Sequence, residues 1–112
     1  MKAQDRPKIL DGKTHRIATG CGHLYITANT LDGKLFELIN TLGKSGGCAA
    51  GFTEALARTI SIGLRAGVDI GEYHHTLQGI GCNAPALDEG VKVLSCPDAI
   101  AQIIKLYLPE ER

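Results

Sequence analysis

The hydrophobic period of this chain changes once, near Asn40, and that change restricts the fold more than any other feature. Before it, Leu24, Ile26 and Ala28 alternate with Tyr25, Thr27 and Asn29, a period of two that gives one apolar face only on an extended strand. After it, Phe52, Leu56, Thr59 or Ile60, and Gly63 or Leu64 recur at helical spacing. The first half therefore reads as sheet and the second as helix, a segregated α+β order. Asp32-Gly33 stands between the alternating run and Leu35-Phe36-Glu37-Leu38-Ile39, which is a hairpin signal. His15-Arg16-Ile17-Ala18-Thr19 supplies an earlier strand, broken from the second by Gly20-Cys21-Gly22. The expectation is a small antiparallel β-meander over about residues 15–41, preceded by a polar N-terminal arm, 1–13, that carries Pro7 and Gly12.

The main helix is expected over about 47–66, with Gly67 as its stop. Asp69-x-x-Glu72 has capping-box spacing and opens a short second helix through Ile70, Tyr73 and Leu77. Residues 79–90, with Pro85 and several glycines, read as a loop. Ser95-Cys96-Pro97-Asp98 then combines a cap hydroxyl, a proline in the first turn and an acid three residues after the serine. Ile100, Ile103, Ile104, Tyr107 and Leu108 place one apolar face on a C-terminal amphipathic helix of about 96–108.

A chain of 112 residues has the length of one domain, here 14–112. No apolar run approaches the roughly 20 residues of a membrane span, so no membrane partner is expected. Twelve basic residues balance twelve acidic ones, which makes nucleic acid an unfavoured partner. The first residues are charged and lack an apolar signal region, so the protein is expected in the cytoplasm with its thiols reduced or metal-bound rather than in disulfides.

Those thiols are the chemistry-bearing residues. Cys21, Cys48, Cys82 and Cys96 each stand at a junction between elements, beside a sharp turn or a helix start. Four thiolates on loops can converge tetrahedrally on zinc, and neighbouring glycines let the backbone aim them. Zinc modules usually carry their ligands in close pairs; here the cysteines are far apart in sequence, so the fold itself must assemble any site. Two other uses are open: small buried hydrophobes, or redox thiols, since Cys48 and Cys96 lie near helix N-termini, where thiolate is favoured. No Cys-x-x-Cys pair is present.

Leu42-Gly43-Lys44-Ser45-Gly46-Gly47 resembles a phosphate loop but has Leu38 where the Walker pattern needs its first glycine. Lys44, Ser45, Gly46 and Gly47 are a candidate anion or nucleotide site through backbone N–H groups at a helix start, against the simpler reading of a tight strand-to-helix connection. Gly20-x-Gly22 fails the dinucleotide fingerprint, with Tyr25 at the third glycine position. His23 is an alternative ligand, His74 and His75 point in different directions on a helix, and Glu54 with Arg58 fits a solvated helical stripe.

Read together, Thr19-Gly20-Cys21-Gly22, Leu42 to Cys48, Thr53-Glu54-Ala55-Leu56, Leu77-x-Gly79-Ile80-x-Cys82 and Leu94-Ser95-Cys96-Pro97-Asp98-Ala99-Ile100-Ala101 resemble the TSCPD domain. The resemblance covers about residues 14–108, with Ser95 in place of the threonine of the name motif. That family occurs at the C-terminal end of adenosylcobalamin-dependent (vitamin B12-dependent, class II) ribonucleotide reductases and as short stand-alone proteins. The resemblance implies that Cys21, Cys48, Cys82 and Cys96 form a metal-chelating set, with zinc the expected structural ion. It also implies an accessory or interaction domain linked to deoxyribonucleotide synthesis, with a reductase catalytic chain or a second copy of itself as partner. Adenosylcobalamin is not expected on this chain, because the reductase barrel that binds it and supplies the catalytic residues does not fit in 112 residues. The alternatives are a thiol-redox protein delivering electrons to a reductase and a small nucleotide- or anion-binding module.

Overall fold

Asp32 and Gly33 both take positive φ, 53° and 79°, the pair of left-handed residues that a two-residue hairpin turn matching the strand twist demands. They join β2 (Gly22–Leu31) to β3 (Lys34–Leu42), and β1 (Asp11–Thr19) pairs antiparallel on the other side of β2. The sheet has the order β1-β2-β3, the expected meander. β1 starts at Asp11, inside the segment read as an arm. The computed structural model describes residues 2–43 and 47–109.

The helices follow: α1 (Gly47–Arg65), α2 (Ile70–Leu77) and α3 (Cys96–Lys105). Asp69 caps α2 by accepting the Gly71 N–H at 3.0 Å. Past Lys105 the bonds shorten to three-residue reach, Tyr107 N–H to Ile104 O and Leu108 N–H to Lys105 O, so the last residues expected in α3 form tightened turns instead. The loop expected over 79–90 needs a correction. Ala86–Asp88 forms β4 and pairs with β5, Val91–Val93, across Glu89-Gly90, which repeats the positive-φ pair at 47° and 84°. Three residues are too few to display a period, so only the turn signalled this hairpin.

Leu24, Ile26 and Ala28 of β2, Ile60 of α1, Val93 of β5, and Ile100 and Ile104 of α3 are buried in one core. β3 is an edge strand, and α1 lies along that edge. The Ser61 hydroxyl accepts the Leu38 N–H at 2.9 Å and lies 3.0 Å from Leu38 O and 2.8 Å from Ala57 O, to one of which it donates its single proton. At the other edge, the Ala18 N–H of β1 donates to the Asp88 carboxylate of β4 at 2.9 Å. The fold thereby covers parts of both sheet edges.

Candidate functional site: a three-thiol cleft

Cys21 occupies the two-residue turn between β1 and β2. The Thr19 hydroxyl organises this turn: it donates to Gly22 O at 2.7 Å and accepts the Cys21 N–H at 3.2 Å. Gly20 beside it meets the segment that carries Cys82 so closely that a Cβ at this position would lie 1.7 Å from Ala84 O. Only glycine permits that approach.

Cys82 is clipped to the entrance of α3, its N–H donating to Leu94 O at 3.1 Å, while its sulfur accepts the Ala84 N–H at 3.4 Å. Ser95 joins the same parts: its hydroxyl donates to Ile80 O and accepts the Asp98 N–H at 3.1 Å. The capping box expected here forms only by half. The Asp98 carboxylate does not return to the cap residue but accepts the Leu94 N–H at 3.0 Å and the Gly79 N–H at 2.9 Å. It thus ties the end of α2 to the start of α3, a role that its sequence spacing did not disclose.

These ties bring three thiols to one place. Cys21, Cys82 and Cys96 line a cleft of about 230 Å³ walled by Ala49, Phe52 and Leu56 of α1 and by Pro97. Cys96 is half-buried and the other two are exposed. The Cys96 sulfur lies 3.7 Å from the Thr19 hydroxyl. Burial pushes the Cys96 thiol above its ordinary pKa; the Thr19 contact opposes this, and the nearby Cys21 and Cys82 add to it. Desolvation and neighbouring sulfur thus oppose the thiolate that a helix N-terminus favours at Cys96.

Cys48 is absent from the cleft lining. It is exposed in the first turn of α1, and among the described residues no group of three or more Cys, His, Asp or Glu side chains is disposed to hold a metal ion as it stands. The four-cysteine clip is thus not shown: the packed loops converge on three thiols, and Cys48 sits on a helix whose position is set by its contacts with β3. His23 is exposed and does not line the cleft. Of the anion-site candidates, Lys44, Ser45 and Gly46 lie outside the described residues, and Gly47 is exposed at the start of α1. A larger groove of about 890 Å³ runs between the β2–β3 turn, the α1–α2 connection and the residues after α3. It contains no cysteine, so size does not mark the chemistry here. Phe52, which lines the cleft, and Thr19, which holds the Cys21 turn and touches the Cys96 sulfur, were missed as site residues by spacing arguments, because neither belongs to a ligand pattern.

The architecture is that of a small α+β domain whose cysteines sit on its junctions. The family model for the TSCPD domain matches residues 1–108, and the chain belongs to the TSCPD domain family. No curated protein and no solved structure matches it. No helix among the described residues is long and apolar enough to cross a membrane.

Proposed function

We propose that this chain is a metal-binding accessory domain, with zinc held by Cys21, Cys82 and Cys96 and completed by Cys48. The observation that carries the proposal is the convergence of three thiols from three separate junctions on one cleft. The donor set fits the ion, since soft thiolates on loops suit a tetrahedral structural zinc. When bound, zinc would supply a cross-link between the β1–β2 turn, the segment before β4 and the start of α3, and no reaction step. Structural zinc binding of about 10–16 kcal/mol is comparable to the whole stability of a small domain, so the ion would govern folding. Family membership further supports a docking role beside the catalytic chain of a ribonucleotide reductase, on which adenosylcobalamin would reside.

The test is metal content per chain on anaerobically purified protein, with thiol titration and circular dichroism before and after chelation. The expected result is about one zinc per chain, thiols that become reactive on chelation, and a large fall in melting temperature. Metal-free protein with freely reactive thiols would overturn the proposal in favour of thiol-redox chemistry.

A further inference from the structure

The two edges of the sheet are finished differently. Along β3, the Leu38 N–H is taken up by Ser61 of α1. Antiparallel pairing turns the N–H and C=O of every second residue of an edge strand away from its one neighbour, and in β1 this outward set includes Ala18, whose N–H goes to Asp88 at 2.9 Å. Gly12, Thr14 and Arg16 share the parity of Ala18 and are exposed. Among the described residues, no hydrogen bond from outside the sheet reaches their main chain. The Asp88 carboxylate stands where the carbonyl of a further strand would stand, so the open row of donors ends at Ala18.

The side chains along this stretch specify what can extend the sheet. Lys13 and Arg16 are exposed and, being three apart on a strand, belong to opposite faces of the sheet. No acid lies among residues 12–16, while Asp11 and Asp88 bound the stretch at its two ends. A second copy pairing here about a two-fold axis would crowd the Lys13 and Arg16 side chains of both chains along one seam, and like charges across strands are destabilising. Basic residues that hinder self-pairing of an edge favour an acidic strand. We propose that the β1 edge from Gly12 to Arg16 is a docking site for an extended acidic peptide of a partner protein, which adds a fourth strand carrying two acidic side chains three residues apart. Main-chain bonds to Gly12, Thr14 and Arg16 supply the attraction common to any added strand, and the ion pairs to Lys13 and Arg16 supply the selection. The inference goes beyond metal binding, since the cysteine cleft contributes no residue to this edge.

The test uses the full chain as purified and a fluorescein-labelled peptide containing Glu-Thr-Val-Glu-Thr, with a control in which both glutamates are lysine. Fluorescence anisotropy should show the glutamate peptide binding at least about tenfold more tightly than the lysine peptide, as two cross-strand pairs changed from opposite to like charge require. N-methylation of the central valine removes a main-chain donor and keeps both charges, and it should abolish binding. Amide exchange should slow on peptide addition at Gly12, Thr14 and Arg16, the outward N–H groups. The double variant Lys13→Glu with Arg16→Glu, both exposed positions, should reverse the preference in favour of the lysine peptide, with circular dichroism confirming its fold. Failure of both peptides to bind, equal binding of the two, undiminished binding of the N-methyl form or slowed exchange only at other amides overturns the proposal. Protection of these three amides that rises with protein concentration alone also overturns it, because a second copy then holds the edge. None of these outcomes bears on the metal site, whose loss is read from metal content.

Discussion

Asp98 is buried, yet its carboxylate holds two main-chain N–H groups, those of Gly79 and Leu94, from separate parts of the chain. Gln102 adds a side-chain bond at 3.2 Å. Removing the carboxylate breaks two part-buried bonds to an ionised acceptor, each worth more than a neutral hydrogen bond. Asp98→Ala is expected to destabilise the domain by about 3 kcal/mol, read as a lower urea midpoint at unchanged slope. The cap itself was legible because Ser95-x-x-Asp98 is a local pattern. The second duty of the acid was not, since Gly79 lies 19 residues away.

At the scale of elements, the relation of α1 to β3 decides whether the sheet edge is open. The Ser61 hydroxyl stands in for the neighbouring strand that Leu38 lacks. Ser61→Ala should leave the Leu38 N–H buried without a partner and cost about 2 kcal/mol, visible in chemical denaturation and as faster amide exchange at Leu38. The helix itself was readable from Phe52, Leu56 and Ile60, but periodicity treats Ser61 as an ordinary polar position. β4 and β5 escaped for a different reason. Such short strands owe their existence to Asp88 on the Ala18 N–H and to Gln102 on Lys92 O, contacts that no local pattern encodes.

Over the whole molecule, two titrating pairs join distant parts of the chain. Glu37, buried in β3, receives Arg6 from the N-terminal segment at 2.9 Å through both Nε and Nη2, and the Asn29 amide as well. The Arg6 bonds chiefly, then Asn29 and the field of Arg6 and Arg65, hold the Glu37 carboxyl below the usual range against the opposing effect of burial. A depressed acid contributes stability above its unfolded pKa, lost as pH falls through the folded value. His15 pairs with the Tyr107 hydroxyl at 2.7 Å. Burial, then Lys13, lower its pKa, so the unfolded chain takes up this proton first and the contribution is lost as pH falls below about 6.5. Melting temperature should therefore decline in two limbs, one starting near pH 6.5 and one below about pH 4.5. His15→Gln should flatten the first limb and Glu37→Gln the second.

The types of the longer elements, the Asp32-Gly33 hairpin and the capped start of α3 were determined by the sequence alone, because period, turn dihedrals and caps depend on neighbours a few residues apart. Only the tertiary structure decided that Cys21, Cys82 and Cys96 share a cleft while Cys48 stands outside it, and that Arg6 finds Glu37. These meetings depend on how whole elements pack. Cys21 reaches Cys82 because Gly20 lets two backbones touch at Ala84, a contact between segments far apart in the chain that no spacing of residues along it specifies.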